Sequence, residues 1–266
     1  MIRRTIVAAL IACMTVLPQA AQAAPKRPVS LPQHPTTSID GTSRSTTVDG
    51  VDALGEVWRV PMRRKEIALT FDDGPYPFYT DLLLHELERS HVVATFFLVG
   101  RSSQEFPELV NHIVADGDEI GDHTFNHYKL TKLTGQQIAS QITEDANFLE
   151  PFVGAPLTLF RPPHGRFDHR VVALAHAMGY DTVFWSDSPE DTKDISPAVI
   201  VKRTLDQASP GGIVLMHNGQ YKTIEALPVI IDRLRSEGYT FVTVTRLIED
   251  GRRYDGLNVK ATPLMQ

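Results

Sequence analysis

Cysteine is almost missing from this sequence: Cys13 stands alone among 266 residues. A single thiol excludes an intramolecular disulfide framework and any metal site built from several cysteines. Positive charge is in deficit, with 26 Lys and Arg against 32 Asp and Glu, a formal −6. A field of that sign argues against nucleic acid as a partner and repels strongly anionic polymers, whereas neutral glycans meet no such barrier. Long apolar runs are also lacking. Beyond the first residues, none approaches the roughly 20 apolar residues that a transmembrane helix needs. No internal repeat marks a solenoid.

The one apolar run of note, Ile6 to Leu17, follows Arg3 and Arg4 and ends ahead of Ala21-Gln22-Ala23. That layout predicts a secretory signal peptide over residues 1–23, cleaved before Ala24, and an exported protein in the periplasm or outside the cell. Cleavage there removes Cys13 and two arginines, leaving 24 basic against 32 acidic residues, a formal −8. In the alternative, Leu10-Ile11-Ala12-Cys13 is a lipoprotein box and Cys13 becomes a lipid anchor. From Ala24 to Asp52, 13 of 29 residues are Pro, Ser or Thr, and no apolar period would bury a face. Residues 24–60 are therefore expected to form a flexible tether, and residues 61–266 a single folded domain, monomeric in solution.

Within that domain, short β-rich apolar runs alternate with helical patterns. Strands are predicted at Ile67–Phe71, Ala94–Val99, Glu119–Asp122, Thr158–Phe160, Asp181–Ser186, Gly212–His217 and Tyr239–Val244. A helix is predicted from Thr134 to Phe148, with a Thr134/Gln137 capping box and Ile138, Ile142 and Ala146 on one stripe. Ser196-Pro197 opens another, and a third runs from Asp168 as N-cap to Gly179 past its end. Repeated β then α demands parallel strands with right-handed crossovers, and seven units predict an irregular (β/α)7-type barrel.

Catalytic groups of a parallel barrel sit at the C-terminal ends of its strands, and the unusual polar residues fall there. The first predicted strand ends in Asp72-Asp73-Gly74-Pro75, where one carboxylate can bind a cation while its neighbour takes a proton from water. A solvated turn has the same composition, since Asp, Gly and Pro all favour turns. The third ends in His123-Thr-Phe-Asn-His127, and histidines four apart face the same way if the segment is helical. Two imidazoles and one carboxylate leave open positions on a zinc-like ion, as a hydrolytic site requires. Arg161, before Pro162-Pro163-His164-Gly165, is placed to orient a nearby carboxylate and lower its pKa. His217 is the polar end of an otherwise apolar strand and a candidate general acid. Any of these alone has a structural explanation; their recurrence at one rim favours a site.

These residues resemble the five ordered motifs of the polysaccharide deacetylases of the NodB homology type, carbohydrate esterase family four, over roughly residues 67–248. Motif one is similar to Thr70–Pro75, motif two to His123–His127, motif three to Arg161–Gly165 and motif five to Leu215-Met216-His217. The resemblance implies Asp72 as general base, His217 as general acid, and Asp73, His123 and His127 as ligands of one divalent ion, zinc first, with cobalt, nickel or manganese as alternatives. It also implies Leu215 in the pocket for the acetyl methyl and the His164 backbone N–H as an oxyanion donor, although the family usually carries another residue at position 164. Motif four departs from the pattern. Counting back from His217 puts Asp191 in the acidic role, buttressing Arg161, with Asp187 and Asp194 as substitutes, and Thr192 stands where a tryptophan is expected.

The activity implied is metal-dependent removal of N-acetyl groups from an acetylated glycan, chitin-like or peptidoglycan, by attack of cation-activated water on the acetamide. Two alternatives share the residues: an O-acetyl esterase acting on a xylan-like substrate, and an exported glycan-binding protein that has lost catalysis. Relatives that open cyclic amides without metal fit less well, because the ligand set is intact. Tyr76, Phe78, Tyr79, Tyr128, Trp185 and Tyr221 lie near the rim and stay unassigned, because exposed aromatics near turns usually serve packing.

Overall fold

The computed structural model describes residues 54–254. The expected signal peptide over 1–23, the alternative anchor Cys13 and most of the expected tether lie outside these residues. Eight strands form one parallel sheet: β1 (Glu56–Val57), β2 (Glu66–Asp73), β3 (Thr95–Leu98), β4 (Glu119–Asp122), β5 (Leu159–Phe160), β6 (Asp181–Val183), β7 (Gly212–His217) and β8 (Thr240–Phe241). Their order is β1-β6-β5-β4-β3-β2-β7, with β8 paired to the start of β2. All seven expected strands are present, and the fold is the expected (β/α)7 type.

The ring closes where the chain leaving β6 reaches β7. Ser186 N and Asp187 N donate to Ile213 O, and Leu215 N donates to Asp187 O at 2.8 Å. Alternation along β2 sorts its side chains between two cores. Ile67, Leu69 and Phe71 pack into the larger cluster under the helices, while Ala68 joins Phe97, Leu159, Val183 and Ile213 in a smaller one. Asp72 shares the face of Ala68 and Thr70, so the same period that fills the barrel aims this carboxylate across its mouth.

Among the described residues, eight α-helices flank the sheet: α1 (Tyr79–Arg89), α2 (Gly100–Glu105), α3 (Pro107–Ala115), α4 (Gly135–Val153), α5 (His169–Ala177), α6 (Pro197–Gln207), α7 (Tyr221–Ser236) and α8 (Val244–Tyr254). The Thr134/Gln137 capping box starts α4, which runs through Pro151 and past the expected Phe148 to stop at left-handed Gly154. A proline in the last turn forfeits one backbone bond but does not end the helix. Asp168 caps α5 by accepting from Arg170 N and Val171 N, as expected. Among the described residues, no helix is long and apolar enough to cross a membrane.

The expected tether boundary at residue 60 lies too far along the chain. β1 pairs in register with β6, Val57 and Val60 are wholly buried, and Val60 N donates to Gly211 O at 2.9 Å. Two valines and Trp58, stacked on Phe184 at 4.1 Å, gave too weak a period over so few residues to be read as a strand.

Candidate active site

Asp72 leaves β2 buried and meets Arg161, which follows β5. The Arg161 Nη1 donates to Asp72 Oδ1 and to Thr70 Oγ1, each at 2.7 Å. Its Nε donates to Val183 O and its Nη2 to Phe184 O, while the guanidinium lies 4.0 Å from the centre of the Phe97 ring. Gly121 makes room for that ring, since a Cβ there would sit 2.6 Å from it. Burial pulls the Arg161 pKa down and the Asp72 charge opposes it. A fully buried cation with this many acceptors is compensated, and its carboxylate partner is held in one orientation.

The next residue turns the other way. Asp73 has a φ of 78°, and its Oδ1 lies 3.1 Å from His127 Nε2 and 3.7 Å from His123 Nε2. One ligand atom from each of these three residues falls within 4.8 Å of the others. The His123 Nδ1 is 2.7 Å from Arg161 O, and a carbonyl can only accept. The proton therefore sits on Nδ1, and the lone pair of Nε2 faces Asp73. Burial holds His123 below its usual pKa. Burial also pushes Asp73 up, but the His127 hydrogen bond and the neighbouring imidazoles hold it at about 2. A neutral imidazole with an outward lone pair beside an ionised carboxylate suits a divalent ion of the zinc kind, so the residues fit the expected metal.

The two histidines do not meet by sharing a helix face, as their spacing suggested. Residues 123–127 form a loop in which Thr124 and His127 are left-handed, with φ of 68° and 56°. The His164 ring stands edge-on to His127, centroids 4.6 Å apart, from an exposed position with φ 60°.

Opposite stands His217 at the end of β7, in register with Asp72. Its Nδ1 is 2.8 Å from Asp191 Oδ1, its backbone N donates to Asp191 Oδ2 at 2.8 Å, and Thr223 Oγ1 donates to the same oxygen. Burial lowers the His217 pKa, but the Asp191 hydrogen bond and the charges of Asp191, Asp72 and Asp73 outweigh it and raise it above the usual value. Leu215, two residues back on the same face of β7, is buried.

Asp191 therefore supports His217 and not Arg161. The gapless count found the residue but not its partner, because the loop after β6 passes beside β7 while Arg161 points inward to Asp72. The suggested substitutes are engaged elsewhere: Asp187 accepts from Ser186 Oγ, and Asp194 pairs with Lys222. Thr192 is exposed, and Trp185 packs on the turn after Arg161, where a Cβ on Gly165 would lie 2.4 Å from its ring. Thr70, Thr223 and Asn218 went unread as site residues. The Asn218 N donates to Asp72 O at 2.9 Å, and its side chain bonds Thr80. Beside Asp73, a cavity of about 370 Å³ is lined by Tyr76, Pro77, Tyr79, Asn218, Gly219 and Gln220.

Residues 59–183 match the family model described as polysaccharide deacetylase. A peptidoglycan-N-acetylglucosamine deacetylase of Bacillus cereus is 39% identical over 196 residues, 72% of this chain and 92% of that protein. The crystal structure of the Bc1960 peptidoglycan N-acetylglucosamine deacetylase superposes with a TM-score of 0.71 at 31% identity, covering 73% of this chain and 93% of the other. A CE4 family pseudoenzyme from Bacillus anthracis has a TM-score of 0.70 at 30% identity, covering 74% and 69%. Likeness at this level across nearly the whole of a relative, carried on the same fold, means that this chain belongs to the polysaccharide deacetylases of the CE4 family.

Proposed function

We propose that this deacetylase removes N-acetyl groups from a glycan containing N-acetylglucosamine, peptidoglycan or chitin-like, after export from the cytoplasm. The observation that carries the reading is the pair of separately supported groups flanking the Asp73, His123 and His127 cluster: Asp72 held by Arg161, and His217 held by Asp191. Two titratable groups whose surroundings divide them this way are suited to opposite proton tasks.

In this reading Asp72 takes a proton from the attacking water, its free oxygen facing the cluster while Arg161 occupies the other. His217 gives a proton to the leaving amine; its Nδ1–H is committed to Asp191, which leaves Nε2 for the substrate. Asp73, His123 and His127 hold a divalent ion, zinc first, and that ion supplies Lewis acidity that acidifies water and polarises a carbonyl. The His164 backbone N–H stabilises the developing oxyanion, and Leu215 lines the acetyl pocket. The pattern of residues 1–23 supports export, and the domain begins ahead of residue 61.

The test is acetate release by the purified protein from peptidoglycan and from chitin oligosaccharides, after chelation and after zinc or cobalt is restored. Release that needs the metal supports the mechanism, and the preferred polymer names the substrate. Release from acetylated xylan alone moves the activity to O-acetyl esters. Exposed Thr192 in place of a tryptophan favours a second reading, a glycan-binding protein without turnover; metal and glycan binding with no release from any of these polymers establishes it.

A further inference from the structure

The loop that carries His123 and His127 is held along both edges by helices. Its carbonyls accept from the start of α2: Gly100 N donates to Thr124 O at 3.2 Å and Arg101 N to Phe125 O at 2.9 Å. Its N–H groups go largely to one face of α4, where Gln141 and Asp145 stand one turn apart. Phe125 N donates to Gln141 O at 3.0 Å, Asn126 N to Gln141 Oε1 at 2.9 Å, and His123 N to Asp145 Oδ2 at 3.0 Å while also reaching Leu98 O. Thr124 N donates to Asp122 Oδ1 at 2.9 Å. Two left-handed residues in five cost energy and persist only where the surroundings over-determine them.

Asp122 and Asp145 are fully buried, and their carboxyl groups neighbour each other. Asp122 Oδ2 and Asp145 Oδ1 have no hydrogen-bond partner among the described residues. A Cβ on Gly100 would sit 2.6 Å from Asp145 Oδ1, so the glycine leaves room for this pair. Each offers one oxygen to the loop, Asp122 Oδ1 accepting from Thr124 N and Asp145 Oδ2 from His123 N.

We propose that Asp145, with Gln141 and the facing Asp122, is a positioning residue for the deacetylase: this face of α4 sets the strained loop 123–127 in the shape that aims His123 and His127 at one ion. The inference rests on the reading of Asp73, His123 and His127 as metal ligands. Outer partners of this kind orient ligands without touching the metal.

Full-chain protein carrying Asp145→Ala, Asp145→Asn, Gln141→Ala or the double change Asp122→Asn with Asp145→Asn is titrated with Co(II) and Zn(II) against a chromophoric chelator. The Co(II) visible spectrum and metal-free thermal unfolding are recorded alongside. Asp145→Ala and Gln141→Ala are expected to weaken metal binding by about 10- to 100-fold and to alter the Co(II) spectrum. Asp145→Asn restores both, because the amide oxygen still accepts from His123 N. The double change loses them again, because two NH2 groups then oppose each other. Wild-type affinity and spectrum in Asp145→Ala, with only metal-free stability lowered, overturns the proposal. If Asp145→Ala does not fold, wild-type behaviour in the double variant overturns it instead. Absence of Co(II) and Zn(II) binding by the unaltered protein overturns the metal-ligand reading and this inference with it, whereas normal binding that no variant disturbs overturns the positioning role alone.

Discussion

Asp72 and Asp73 are neighbours in sequence with different surroundings, and substitutions should separate them. Asp72→Asn is expected to lower kcat by about 10² to 10⁴ while cobalt affinity stays close to that of the unaltered protein. His123→Ala is expected to lose metal binding itself, checked by metal content after dialysis. Asp191→Asn bears on proton supply. His217 owes its raised pKa to the Asp191 hydrogen bond and charge against the opposing effect of burial. An acid with a raised pKa stays protonated to higher pH, so weakening its carboxylate partner moves the alkaline limb of the kcat profile to lower pH. A limb that stays in place, measured on chitin oligosaccharides with zinc supplied, removes His217 from the role of general acid.

Helix ends and strand starts set how firmly the rim is held. Thr134 caps α4, whose far face carries Gln141 and Asp145, and Thr134→Ala is expected to cost about 1 kcal/mol in urea unfolding. Asp118, just before β4, accepts from Ala94 N, and burial pushes its carboxyl up to about 7. A carboxyl raised in the folded state contributes stability that is full below its unfolded pKa near 4 and is lost as pH rises through about 7. Asp118→Asn keeps the acceptor and removes the charge, so the melting temperature should rise at pH 8 and change little at about pH 4. Equal effects at pH 8 and at about pH 4 rule out this account of Asp118.

The whole molecule depends on closing its sheet at both ends. Upstream residues close the lower end: Val57 and Val60 pack with Ala68, Phe97, Val183 and Ile213 and with Val244, Leu247 and Ile248 of α8. A chain beginning at residue 61 gives up two buried valines, each worth roughly 1.5–3 kcal/mol, and should melt well below one beginning at residue 54. Equal melting temperatures would make β1 an ornament of the sheet. Strand ends, helix caps and the order of polar residues along the chain follow local rules, so the parallel (β/α)7 fold and the four polar clusters at strand ends were legible in one sequence. The spacing over residues 123–127 pointed to two histidines that do come together, but by a loop and not a helix face, because left-handed φ values at Thr124 and His127 are too weakly marked in sequence to be read. Asp191 was legible as an acid, but its partner was not: which side chain a loop residue meets depends on where the loop crosses the rim. The sequence by itself determined which groups reach the barrel mouth, since period-2 alternation and strand endings are local. Only the tertiary structure decided which groups pair there and what holds them, because hydrogen bonds between residues 26 to 89 positions apart are chosen by packing rather than by spacing.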